Sequence, residues 1–168
     1  PYDIRIPCEV PGLCYNFTYV TNFFNNPEVQ ASLGVRPTNW TSCNFEVNGM
    51  FAADWMHNFN QLVPDLLNSE IRVLIYAGDM DFICNWLGNK AWTLALPWSQ
   101  HTAFNDAKDL PWYLDFVEAG FYRTVSSAKN NMLFTFLQVH GAGHMVPMDQ
   151  PARALSMVQH FLADKPFI

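Results

Sequence analysis

Positive charge is scarce in this sequence: Lys and Arg number 9 against 15 Asp and Glu in 168 residues, for a formal charge of −6 and a pI near 5.1. Nothing makes a basic stripe, which argues against a nucleic-acid partner. Long apolar runs are also missing. None approaches the roughly eighteen residues a membrane span requires, so no membrane partner is expected. The chain opens Pro1-Tyr2-Asp3, without an initiating Met or a signal-peptide pattern, and is expected to be part of something longer, processed or truncated. None of its serines, Ser32, Ser42, Ser69, Ser99, Ser126, Ser127 and Ser156, stands in a G-x-S-x-G setting, so no nucleophile elbow is encoded. No internal repeat or low-complexity segment is visible.

What is present suits a packed domain. Half the residues are hydrophobic and 15% are aromatic, which allows a large core and argues against disorder. Four cysteines occur. Cys8 and Cys14 flank the turn Pro11-Gly12 and are candidates for a small loop, whereas Cys43 and Cys84 have no local partner and other pairings stay open. Asn16-Phe17-Thr18 and Asn39-Trp40-Thr41 are acceptable glycosylation sequons. Two sequons beside a plausible disulfide favour a secretory-pathway protein.

The stretch Ile71–Cys84 is the most informative. Val73–Tyr76 is an unalternating apolar run of the kind buried on both faces of a parallel sheet. Ala77-Gly78-Asp79 then turns the chain, and Asp79 and Asp81 emerge where the strand ends. Near the C-terminus, Met132–Val139 repeats the pattern and opens into His140-Gly141-Ala142-Gly143-His144. Functional groups of open α/β sheets gather beyond the carboxyl ends of strands, so an acid and an imidazole at two such ends suggest one shared site.

Before Ile71 the chain is dense in Asn, aromatics and turn residues. Helices are expected at Glu28–Leu33, capped by Asn26, and over roughly Asp54–Leu67, where Pro64 sits awkwardly and starts a new helix at best. After it, strand–loop–helix alternation signals an α/β layer architecture: a helix over Asn85–Leu96, a less regular connection over 98–131, and a last helix Pro151–Leu162, capped by Asp149, with Leu155, Val158 and Leu162 on one face.

Each candidate chemistry has a plain alternative. His140 and His144 are four apart, but Gly141-Ala142-Gly143 would break the helix needed to align them on a metal. The same glycines are too short and misplaced for a dinucleotide loop, so neither metal nor cofactor is expected. His144 in a loop closed by Pro147 reads as a held imidazole or simply as a hydrogen-bonded turn residue. One of Asp79 and Asp81 can orient a histidine, while the other bonds its own turn; spacing alone does not choose. The chain order nucleophile, acid, histidine of α/β-hydrolases would leave a C-terminal fragment with the last two only.

Residues 71–98 (IRVLIYAGDMDFICNWLGNKAWTLALPW) and 140–151 (HGAGHMVPMDQP) resemble the C-terminal part of a serine carboxypeptidase. Within that family the likeness points to the branch holding carboxypeptidase Y and cathepsin A. It continues through Tyr2-Asp3-Ile4-Arg5 with Cys8, Ser42-Cys43-Asn44-Phe45 and Asp54-Trp55-Met56, and weakens over 100–131. The resemblance implies an α/β-hydrolase fold, here its C-terminal part: residues 1–69 ending a cap-like insertion and residues 70–168 supplying the last strands and helices of the core. It makes Asp81 the triad acid and His144 the base, with the serine on a missing upstream segment. Trp55, Ile83 and Cys84 would line an S1 pocket suited to hydrophobic side chains, and Met145, Tyr2 and Tyr15 the S1′ side. Cys84 would be a free thiol, Cys8–Cys14 a local bridge, and Cys43 a link to the missing portion of the precursor.

The implied activity is release of C-terminal amino acids from peptides at mildly acidic pH, in a vacuole, a lysosome or outside the cell. A same-fold acyltransferase or esterase, or a non-catalytic binding subunit, would share these motifs. Without the central strands, Ile71–Ala77 would present a bare apolar edge. The isolated chain is therefore expected to fold poorly or aggregate unless the rest of the protein or a homodimer partner covers that edge, and, lacking the nucleophile, it is expected to hydrolyse nothing by itself.

Overall fold

In the computed structural model, residues 2–7 and 15–167 are described, and they fall into two units: one over 8–58, the other over 59–168 together with 1–7. The 8–58 unit holds α1 (Thr18–Phe24), α2 (Pro27–Ser32) and α3 (Phe45–Met50), followed by a 3₁₀ turn at Phe51–Ala53. None of its described hydrophobic side chains is fully buried. Amide side chains supply the order instead. Asn26 accepts from Glu28 N–H and caps α2 as expected, with Pro27 in the first turn. Asn25 exchanges two bonds with the Trp40 backbone, both at 2.9 Å. Gln30 gives its Nε2 to the Phe24 and Thr38 carbonyls and accepts from Thr38 N–H.

The larger unit follows the layered pattern. Its elements are α4 (Val63–Asn68), β1 (Val73–Gly78), α5 (Trp86–Ala95), α6 (His101–Asp106), β2 (Leu110–Leu114), β3 (Val117–Val125), β4 (Phe134–Val139), α7 (Val146–Asp149) and α8 (Pro151–Leu162). The strands form one sheet in the order β1-β4-β3-β2, with β1 parallel to β4 and the other pairs antiparallel. Side chains alternate across it. Val73, Ile75, Phe134 and Phe136 point into a cluster with Leu67, Leu96, Trp98 and Phe104. Leu74, Leu137 and Val139 point into another with Trp112, Val146, Met157 and Phe167. β4 is buried almost throughout on both faces, whereas the edge strand β1 is only partly covered, with Tyr76 exposed. No helix among the described residues is long and apolar enough to cross a membrane.

Several expectations need correction. The helix expected over roughly Asp54–Leu67 is broken at the proline, as the alternative for Pro64 had it: a 3₁₀ turn occupies Phe59–Leu62, and a new helix starts with Pro64 in its first turn, because proline lacks the amide an interior position needs. The connection over 98–131 contains α6 and a hairpin. Its two-residue turn places Asp115 and Phe116 at φ 52° and 64°, the primed geometry that matches strand twist, and a bulge interrupts the register after Trp112. Asp149 does not cap α8; that position is Gln150, with no side-chain cap. Leu155, Val158 and Leu162, the residues expected on one face of α8, are exposed, and its buried positions are Ala154, Ser156 and Met157. Leu155 and Val158 instead line an apolar groove of about 680 Å³ beside Leu74 and Tyr76 of β1, at the end of the sheet.

Candidate active site

Register places the two functional turns together. Gly78 is the parallel partner of Val139, so residues 79–84 and 140–145 leave the sheet from adjacent strand ends. Asp79 N–H donates to Val139 C=O at 3.0 Å, and Met80 N–H donates to Ala142 C=O at 2.9 Å. Contact this close tolerates no side chain at Gly78: a Cβ there would lie 2.2 Å from the Ala142 oxygen.

Asp81 and His144 meet in the result. The imidazole Nδ1 lies 3.0 Å from Asp81 Oδ2, with the acid 5% and the imidazole 34% accessible. An ionised carboxylate only accepts, so Nδ1 is the protonated nitrogen and Nε2 keeps a lone pair available as a base. The other oxygen, Oδ1, accepts from Cys84 N–H at 3.1 Å, which fixes the plane of the carboxylate. Asp79 takes the alternative part: its Oδ1 accepts from Gly141 N–H at 2.8 Å. Asp149 accepts from Gly143 N–H at 2.7 Å. Around the histidine, therefore, one carboxylate faces the imidazole and two hold the loop that carries it.

The remaining expected residues divide by location. Tyr2 packs on His144, ring centroids 4.8 Å apart. Met145 directly follows His144 and is half-buried, while Ile83 and Cys84 sit exposed on the acid turn. Tyr15, Trp55 and Cys43, with the sequon residues Asn16 and Asn39, belong to the 8–58 unit. Trp55, Cys43 and both asparagines are exposed there. Cys43 and Cys84 are unbridged; the expected Cys8–Cys14 bridge lies outside the described residues.

Cys84 completes a mixed donor set. Its sulfur, an Asp81 oxygen and a His144 nitrogen lie within 4.8 Å of one another, chemistry that a thiophilic divalent ion would accept. The residue is exposed as a whole, yet local burial of its sulfur pushes the thiol pKa up, and the Asp81 charge adds to that. A thiol so raised is protonated at neutral pH and is not poised as a nucleophile.

Arg5 and Asp149 escaped the sequence reading as site residues. Arg5 carried only the family resemblance, and Asp149 was taken for a helix cap. The one available signal was their proximity in sequence to Tyr2 and His144.

Comparison with known proteins finds relatives along almost the whole chain. The family model for serine carboxypeptidases matches residues 7–164. The chain is 48% identical over 165 residues to a carboxypeptidase Y of Candida albicans, covering 96% of this chain and 29% of that protein. It is 43% identical over 164 residues to serine carboxypeptidase-like 48 of Arabidopsis thaliana, covering 98% of this chain and 31% of that one. Among solved structures, a prohormone-processing carboxypeptidase from Saccharomyces cerevisiae superposes with a TM-score of 0.73 at 27% identity, over 88% of this chain and 32% of its own. The chain therefore spans less than a third of the length of these relatives.

Proposed function

The chain belongs to the serine carboxypeptidase family, with the C-terminal part of an α/β-hydrolase fold, and on that premise we propose that it supplies the acid and base of a serine-type carboxypeptidase. The observation that carries this reading is the 3.0 Å hydrogen bond between His144 Nδ1 and Asp81, made at the ends of two adjacent parallel strands. The nucleophilic serine comes from an upstream segment of the same precursor.

His144 Nε2 takes the serine proton as its oxygen attacks the scissile carbonyl, and the imidazolium then protonates the departing amine. Asp81 holds the tautomer and offsets the imidazolium charge. Water repeats the sequence on the acyl-enzyme and releases the shortened peptide. In this reading Ile83 and Cys84 line the wall for a hydrophobic P1 side chain, and Tyr2 and Met145 flank the leaving residue. Cys43 pairs with the upstream segment, and Asn16 and Asn39 carry glycans in a secretory, vacuolar or lysosomal setting.

The test uses the full-length protein. It should release a free hydrophobic amino acid from an N-blocked dipeptide, and an organophosphate should abolish that release. Ester hydrolysis or acyl transfer without any release of amino acid would favour the acyltransferase or esterase reading instead.

A further inference from the structure

Four residues near the start of the chain, Tyr2–Arg5, bridge both turns that carry the proposed acid and base. The Tyr2 carbonyl accepts from His144 N–H at 2.7 Å, and two residues on Ile4 N–H donates to the Met80 carbonyl at 2.9 Å. Between them Asp3, 4% exposed, lies against Gly143: a Cβ on that glycine would stand 2.7 Å from the Tyr2 oxygen and 2.8 Å from the Asp3 carboxylate. Arg5 grips Asp3 from three donors, its own amide at 2.8 Å, Nε at 3.0 Å and Nη2 at 2.5 Å.

Arg5 serves more than Asp3. Its guanidinium is favoured first by the Asp3 hydrogen bonds and also by the charges of Asp149 and Asp79, the two carboxylates that hold Gly143 and Gly141 N–H. Three carboxylates clustered around one glycine-rich loop would repel one another without a shared counter-charge. A loop with glycines on both sides of Ala142 has little stiffness of its own.

From this we propose that Arg5 is a positioning residue. By clamping Asp3 and neutralising the carboxylates around the loop, it locks the Tyr2–Arg5 strap across both turns and so fixes the His144 imidazole against Asp81. The role rests on reading Asp81 and His144 as the acid and base. Arg5 itself, with 42% of its side chain accessible, acts only through the strap.

The experiment compares Arg5→Ala, Arg5→Lys and Asp3→Asn in the full-length protein on a blocked dipeptide. Arg72→Ala is the control, because Arg72 pairs with Asp164 and lies over the Phe161 ring, in a structural role only. Misplacing a catalytic group by about 1 Å costs on the order of 10²-fold. Arg5→Ala should therefore lose kcat on that scale while KM stays within about twofold. Arg5→Lys, which keeps the charge, should recover part of the loss. Asp3→Asn should follow Arg5→Ala, and reads the same claim if Arg5→Ala fails to accumulate. Arg72→Ala should lower Tm and leave kcat unchanged. An active wild type whose kcat is indifferent to Arg5→Ala and Asp3→Asn, or falls no further than in a control matched for Tm, overturns the proposal alone. A wild type that releases no amino acid overturns the peptidase reading and the proposal with it.

Discussion

The acid turn and the histidine loop leave the sheet side by side but are held by different means. The acid turn is fixed by main chain: Asp79 and Met80 amides bond across to Val139 and Ala142, and Gly78 permits the approach. The histidine loop is fixed largely by carboxylates and a strap distant in sequence, through Asp79, Asp149 and Tyr2. Main-chain bonds thus place the acid turn, whereas the histidine loop adds carboxylate contacts from Asp79 and Asp149 to its main-chain bond with Tyr2. Backbone crowding should damage the first most, and charge removal the second.

The sharpest break comes at the shared bond. His144→Ala or Asp81→Asn in the full-length protein should each lower kcat by roughly 10⁴-fold with the fold intact, as removal of triad members does; steady-state kinetics beside a circular dichroism melt checks both halves. Gly78→Ala comes next. Its clash is backbone against backbone and no rotamer relieves it, so a loss of about 3 kcal/mol is expected from the denaturant midpoint. Asp149→Ala should cost less, about 2 kcal/mol, by leaving the Gly143 amide unpaired. If both were equally tolerated, the contrast between the turns would not hold.

The smallest effect is on pH. The Arg5 hydrogen bonds hold the Asp3 carboxyl below its ordinary range despite burial. For Asp109, burial alone would raise the pKa, but hydrogen bonds from Arg123 and Lys90 outweigh it and lower it. A carboxyl depressed in the folded state binds fewer protons there than in the unfolded chain. Its contribution is complete above the unfolded pKa of about 3.9 and disappears as pH falls through the folded value. Asp3→Asn should therefore flatten the fall in Tm on acidification below about pH 4 while changing little of its slope near neutrality.

The same contrast explains what could be read from the residues alone. The strands Val73–Gly78 and Phe134–Val139 were legible as unbroken apolar runs with turn chemistry following at once, which put an acid and an imidazole at neighbouring strand ends; the choice of Asp81 over Asp79 came only from the family resemblance. The hairpin over 110–125 was not, because β2 is mostly exposed and contains Pro111, which demotes a run on sequence grounds to an edge or a non-strand. Asp149 stands just before Pro151, where a helix cap is the local expectation; instead its carboxylate turns back to the Gly143 amide six residues earlier. Leu155, Val158 and Leu162 share a helix face, yet periodicity cannot say what that face meets. Arg5 was the hardest to see. Its partners lie at positions 3, 79 and 149, and no pattern in one sequence links them.

The central claim is that Asp81 and His144 activate a serine lying outside these 168 residues. Labelling the full-length protein with a fluorophosphonate and mapping the adduct by peptide mass spectrometry tests it most directly. The account predicts one modified serine, upstream of residue 1, with labelling greatly slowed in His144→Ala. An adduct on Ser32, Ser42, Ser69, Ser99, Ser126, Ser127 or Ser156, or labelling indifferent to His144→Ala, would contradict it.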